Sequence, residues 1–285
     1  MMSPSWKIIL GATFFALIPV GVKIAPDSGV LTLLTGRLLV AVLILFLIHK
    51  DKKGLFKALK QHFIKLFIWS LFMLGAMWCY FKSINSCGAG MASSLLGTQP
   101  VLMAVLSYFI LKESIASFTW IAAAISLTGV LFVSNPGNEL SQQLIPGIIA
   151  GITSSALLCF NFIYQKKWFH QLNSKDVVLY QSIMQLPILI PLALATEQFH
   201  SSAIPASLLL GIFCTVFAYS LIYSGARQVQ GQLIGILQSI EYALPVPIGI
   251  LFFHETFSEK QWLGVLLIIG SCILTGILST QRAAH

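Results

Sequence analysis

Residues 231–256 read GQLIGILQSIEYALPVPIGILFFHET, and the fold turns on how this stretch is understood. It is apolar and long enough to cross a bilayer as a helix, which takes about 20 residues rising about 1.5 Å each. Glu241 stands near its middle, where a carboxylate costs about 3 kcal/mol on insertion scales. Gln238, Tyr242 and Pro245 lie close by along the helix, so one side presents Gln, Glu, Tyr and a proline break together. Polar groups at that depth turn toward a protein interior or a watered cavity rather than toward lipid. The helix is therefore expected to line something.

The composition agrees. The chain has 285 residues, 57% hydrophobic and 9% charged, with a mean hydropathy of +0.87. Soluble domains carry about 25% charged residues, so this is the composition of an all-α polytopic membrane protein. The net charge of +8 is not a nucleic-acid signal, because the lysines sit in short loops between apolar runs. The five cysteines, Cys79, Cys87, Cys159, Cys214 and Cys272, fall within apolar segments without CxxC spacing. They read as small buried hydrophobes, not as a disulfide framework or metal site. No metal and no cofactor is expected. The apolar run from Trp6 lacks a small-x-small cleavage site and is kept as a span rather than a signal peptide.

Ten apolar stretches are candidate spans, at about 6–24, 28–49, 62–82, 89–111, 118–135, 145–165, 176–196, 203–225, 231–253 and 261–280. The second loop carries Lys50, Lys52, Lys53, Lys57, Lys60 and Lys65, and the sixth carries Lys166, Lys167 and Lys175. Loops five and seven carry none. Even-numbered loops and both termini are then expected on the cytoplasmic side of a bacterial inner membrane. Lys23, Lys82 and Lys260 are exceptions near helix ends, from which they can snorkel.

An internal repeat organises these spans. A shift of 142 positions pairs Leu95 with Leu237, Leu102 with Leu244, Glu113 with Glu255 and Trp120 with Trp262. A shift of 140 pairs GATFFAL (11–17) with GITSSAL (151–157). Two copies of five helices follow, residues 1–140 and 141–285. Five is odd, so the second copy enters from the opposite side. Inverted repeats are a feature of carriers, whose halves exchange inward and outward openings around a central cavity.

Residues 95–133, LLGTQPVLMAVLSYFILKES followed by a Trp-led helix, WIAAAISLTGVLFV, resemble the EamA domain. Two such domains resemble the ten-helix carriers of the drug/metabolite transporter superfamily. Gly36 to Ala41, with Arg37 in the second span, also fits. The second copy departs: His254 precedes Glu255, the prolines move to Pro245 and Pro247, and Gln181 stands about where an arginine would be expected. The resemblance implies a compact helical bundle that carries small metabolites, amino acids, amines or drugs.

Glu241 is the sharpest site candidate, and its repeat-mate is Gln99, of the same shape without the charge. Glu241 serves as counter-ion to a cationic substrate, as a proton carrier, or as the partner of Arg37. Arg37 binds a substrate carboxylate, pairs with Glu241, or braces helix-end carbonyls. Gln238 and Tyr242 flank the acid. Trp78, Tyr80 and Tyr219 could offer π faces to an ammonium group, while Trp6, Trp69, Trp120, Trp168 and Trp262 read as interface belt or packing. Asn161, Gln181 and Gln185 either bond across helices or line a cavity. Gly147, Gly151 and Ser155 form a small-residue packing face. Glu113 and Glu255 are expected to cap the helix that follows each of them.

Membrane-embedded enzymes need clustered acids, histidines or an activated nucleophile. Here the six histidines fall in loops or at helix ends, with no His-Glu-x-x-His, no Gly-x-Ser-x-Gly and no phosphate-cradling glycine loop. A non-transporting scaffold would not need Glu241, Gln99 and Arg37 at mid-depth. The expectation is a secondary carrier, independent of ATP, for a small polar metabolite, amine or amino acid, with protons as a possible coupling ion. The alternative within the same fold is an exporter of drugs or cationic compounds. Its partners are the lipid bilayer and a small-molecule substrate, with no nucleic acid. One chain suffices for a complete pathway, which favours a monomer.

Overall fold

The computed structural model describes residues 2–49, 55, 59–113, 117–134, 145–244, 248 and 258–283. Among the described residues all regular structure is helical, and six helices are long and apolar enough to cross a membrane. They are Pro4–Ile24, Val30–Ile48, Phe63–Cys87, Ile145–Trp168, Ser174–Thr196 and Ala203–Ala226. Shorter apolar helices cover Gln99–Leu111, Ser117–Gly129 and Trp262–Ser271. Pro245, Pro247, His254 and Glu255 lie outside the described residues, as does most of 245–257.

In chain order the elements are α1 (Pro4–Phe15), α2 (Ile18–Ile24), α3 (Val30–Ile48), α4 (Phe63–Cys87), α5 (Ala89–Leu96) and α6 (Gln99–Leu106). After them come α7 (Ser117–Ser134), α8 (Ile145–Trp168), α9 (Ser174–Thr196), α10 (Ala203–Gly211) and α11 (Ala218–Ala226). The last are α12 (Gly231–Gln238), α13 (Ile240–Ala243) and α14 (Glu259–Ala283). Ser107–Leu111 and Ile212–Phe217 are π-helical. In the second of these, Thr215 Oγ1 donates to Leu210 O at 2.9 Å and occupies a carbonyl that the widened turn leaves available.

The helix starts follow local chemistry. Ser3 accepts from Trp6 N ahead of Pro4, which costs no hydrogen bond in a first turn. Asn173 accepts from Lys175 N ahead of α9. The start of α3 is capped from a distance, Glu197 Oε1 and Oε2 accepting from Leu31 N at 3.1 Å and Thr32 N at 2.8 Å. A carboxylate there also meets the positive end of the helix dipole.

Two apolar stretches break at equivalent places. α5 gives way to α6 at Gly97–Thr98, ahead of Pro100, which removes a backbone donor. α12 gives way to α13 at Ser239, where Ser239 N bonds Ile236 O and Tyr242 N bonds Ser239 O, each three residues back. Gly97 and Ser239 are 142 positions apart, the same shift that pairs Gln99 with Glu241.

Small residues let helices approach closely, which matters in lipid because burial of apolar surface does not itself drive helices together. A Cβ on Gly235 of α12 would stand 2.9 Å from Met103 Cγ and 3.1 Å from Gln99 O on α6. Gly147 and Gly151 of α8 meet Cys87 and Leu95, and Ser155 Oγ pairs with Thr98 Oγ1 at 2.7 Å, so the small-residue face packs as expected. The main pairings are α4 with α8, α1 with α11, α3 with α9 and α10, α6 with α12, and α7 with α14. Trp69 is a packing tryptophan and not part of an interface belt: it is fully buried and donates to Asn161 O at 2.9 Å.

Candidate functional site

Glu241 lies in the first turn of α13, just past the break at Ser239, and is 4% exposed. Gln99 opens α6 just past its own break and is 1% exposed. Gln238 and Tyr242 are buried beside the acid. Gln99 lies against Gly235 of α12, while the short α13 that carries Glu241 packs on α1, α5 and α14. Gln99 Oε1 and Gln238 Oε1 find no hydrogen-bond donor among the described residues. The Glu241 side chain likewise forms no hydrogen bond or ion pair with any of them; the ion pairs among the described residues are His49–Asp176 and Lys166–Glu113.

Arg37 is held on α3 and is 2% exposed. Its Nη1 donates to Met77 Sδ at 3.3 Å, its Nε has no partner, and Tyr219 lies within hydrogen-bonding reach. The Tyr219 hydroxyl itself donates to Met73 Sδ at 3.3 Å. Thioethers are weak acceptors, so a guanidinium with five donors is left under-satisfied. Among the described residues, neither the Glu241 pairing nor the bracing of a helix-end carbonyl that the sequence allowed for Arg37 forms. Tyr219 and Cys214 sit in the electrostatic field of both Arg37 and Glu241, and Tyr80 in that of Glu241. Tyr80 is anchored by Ser93 at 3.0 Å, and Phe15 packs edge-on against Tyr219 with centroids 4.6 Å apart. The structure thus gathers Arg37, Tyr219, Tyr80 and Glu241 in one buried neighbourhood, with Gln238 and Tyr242 flanking the acid and Gln99 across the α6–α12 contact.

Three nominated residues go elsewhere. Asn161 and Gln181 belong to a closed knot: Asn161 Nδ2 donates to Trp69 O at 3.3 Å, and the Tyr223 hydroxyl lies 3.1 Å from Asn161 Oδ1 and 3.0 Å from Gln181 Oε1. A phenol has one proton and can donate to only one of these oxygens. Turning the Gln181 carboxamide over lets its buried N–H donate to the phenol and satisfies both. This arrangement ties α4, α8, α9 and α11 together. Trp78 is 43% exposed on the outside of α4, with Lys82 Nζ 5.8 Å from its ring, so it offers no face to the charged cluster.

A cavity of about 450 Å³ lies between α3, α9 and α10. It contains none of the nominated residues, although Gly36 on its wall adjoins Arg37. Leu194 and Phe199 on its rim are 81% and 68% exposed, so it opens on the bundle's apolar exterior.

Residues 3–135 and 145–277 each match the EamA-like transporter family. The chain belongs to that family. It is therefore an integral membrane transporter of the drug/metabolite transporter superfamily and not an enzyme. The uncharacterized transporter YetK of Bacillus subtilis is 25% identical over 98% of this chain and 85% of its own. The uncharacterized inner membrane transporter YicL of Salmonella typhimurium is 28% identical over 87% and 85%. The threonine/homoserine exporter RhtA of Escherichia coli K12 is 25% identical over 86% and 79%. A solved crystal structure superposes on 98% of this chain and 100% of its own with a TM-score of 0.76 at 15% identity, which shows a shared fold.

Within this EamA-like chain, the sequence alone does not mark Met73, Met77 and Cys214, the groups around Arg37 and Tyr219, as part of the site. In an apolar span such residues look like ordinary core. The available signal was spacing: Met73, Met77 and Tyr80 fall on one face of α4.

Proposed function

We propose that this chain is a secondary carrier for a small zwitterionic metabolite, an amino acid above all, working by alternating access around Arg37 and Glu241. The observation that carries the reading is that both groups are buried in one neighbourhood and neither forms an ion pair with a described residue. Buried charges are strongly disfavoured unless something meets them. A zwitterion would bring a carboxylate to the guanidinium and an ammonium to the carboxylate in one molecule. Gln99, Gln238 and Tyr242 would hydrogen-bond its polar atoms, and Tyr80 and Tyr219 would supply aromatic walls. That RhtA is named as an exporter of threonine and homoserine agrees with this class. A purely cationic cargo would suit Glu241 and the tyrosines, but the Arg37 charge disfavours it.

The architecture in this proposal is ten spans in two five-helix repeats of opposite orientation, residues 1–140 and 141–285, with both termini on the cytoplasmic side of the inner membrane. Three observations support it. The helix breaks fall 142 residues apart. Exchange of the halves turns the α4–α8 pairing into α11–α1 and returns α3–α9, α6–α12 and α7–α14 to themselves. Lysines also cluster in the even-numbered loops. Rocking of two such halves would expose the α6–α12 crossing to either side in turn. Glu241 would also carry the proton if transport is coupled, and a single chain would suffice.

The test is uptake into proteoliposomes of one small neutral amino acid, its methyl ester and the corresponding acid lacking the amine. The expected result is transport of the zwitterion well above either analogue. Equal transport of the ester would remove Arg37 from the site.

A further inference from the structure

A cluster of polar contacts lies away from the site, where the end of the π segment after α6, the end of α8 and the start of α12 meet. Glu113 Oε1 pairs with Lys166 Nζ at 2.6 Å, and Glu113 Oε2 accepts from Gly231 N at 2.7 Å. Lys166 Nζ also donates to Val229 O at 2.6 Å, and Lys167 Nζ reaches Ile110 O at 3.5 Å. The sequence predicts that Glu113 caps the helix that follows it. Among the described residues it caps α12 instead, because Lys112 adopts a left-handed conformation, φ 57°, that ends the preceding helix. Glu113 and Lys166 are only 20% and 16% exposed, so their attraction is less screened than that of a surface pair.

These contacts fix one end of a short rigid rod. α12 runs from Gly231, bonded to Glu113, to Gln238 at the break beside Glu241. Along its length it packs on α6 through Gly235. Directly under the latch, Ser107 is fully buried where a Cβ on Gly231 would collide with its hydroxyl. Ser107 is therefore placed to report whether the Gly231 end of α12 stays seated.

We propose that Glu113 and Lys166 form a latch that closes the cytoplasmic face of the transport path, acting as positioning residues through α12 on the break at Ser239. The cytoplasmic placement rests on the carrier topology proposed above; the latch geometry does not depend on the substrate. Opening inward requires the Glu113–Lys166 and Glu113–Gly231 bonds to part together. Charge-assisted hydrogen bonds are among the strongest a protein makes, so their loss should shift the balance of states measurably.

The test uses the full chain in inside-out membrane vesicles, with the five native cysteines replaced and Ser107→Cys as the reporter. The probe is a membrane-impermeant maleimide. Glu113→Gln and Lys166→Gln should each raise the labelling rate about tenfold or more, since losing one charged partner strands the other. Lys166→Arg, which keeps the charge and donors, should label like the parent. A second reporter, Ser154→Cys, sits fully buried on α8 with its hydroxyl on Ala76 O at 2.7 Å, and its labelling should not change. Unchanged Ser107→Cys labelling overturns the latch, as does equal acceleration at Ser154→Cys, which means general loosening. Acceleration confined to right-side-out vesicles overturns its cytoplasmic placement. None of these readouts involves transport, so a failed site at Arg37 and Glu241 is recognised separately from a failed latch.

Discussion

Glu241→Gln separates a structural charge from a functional one. Were Glu241 half of a buried ion pair with Arg37, removing its charge would strand the guanidinium and cost about 3–5 kcal/mol. The structure forms no such pair, and glutamine has nearly the same volume, so packing is unchanged. Ligand-free stability should therefore hold within about 1 kcal/mol or rise, because a charge at mid-span itself costs about 3 kcal/mol on insertion scales. Binding behaves differently. A zwitterion at about 100 times its Kd stabilises the parent by about 2.7 kcal/mol, and this increment should vanish in the variant. Unfolding in mixed micelles, followed by tryptophan fluorescence with and without amino acid, measures both quantities. A ligand-free loss of about 3 kcal/mol or more would falsify the reading and make Glu241 a structural residue.

Tyr223→Phe removes the hydroxyl shared by Asn161 and Gln181. With membrane hydrogen bonds worth about 0.6 kcal/mol on average and about 1.7 at most, the loss should be about 1–3 kcal/mol in the same unfolding assay, and no change would show the knot to be energetically idle. Gly235→Leu forces a side chain against Met103 and Gln99 O, so an overpacking cost of about 1–3 kcal/mol and loss of uptake should appear together; normal uptake would mean that the α6–α12 contact is dispensable. Trp78→Leu, on the exterior of α4, should leave stability within about 0.5 kcal/mol and leave transport intact. A collapse of uptake in that variant would put Trp78 back among the site residues.

Much of this molecule was legible in its residues because the bilayer imposes simple requirements. The depth of Glu241 in an apolar run required an inward-facing side chain, and it is 4% exposed. The 142-residue shift led from Glu241 to Gln99, and both stand just beyond a helix break. The location of those breaks was less legible: the prolines drew attention to residues 245 and 247, while the described break lies at Ser239, which the sequence does not mark. Asn161 and Gln181 looked the same as cavity-lining amides, because their partners, Trp69 and Tyr223, come from helices distant in sequence. Trp78 failed for a related reason. Spacing along one helix says which residues share a face, but which face meets lipid is decided by how α4 packs on α8. Glu113 was expected to cap its own successor helix, and only tertiary structure brings Gly231 to it.

The central claim, that two separated charges wait for one zwitterion, is tested most directly by crossing substrate charge with site charge in proteoliposomes. Uptake of a small neutral amino acid, its ester and its deaminated acid is measured for the parent, Glu241→Gln and Arg37→Gln. The account predicts that the amino acid is carried by the parent and by neither variant, with the deaminated acid losing its disadvantage in Glu241→Gln binding and the ester losing its own in Arg37→Gln binding. Amino acid uptake that survives in both variants would contradict it.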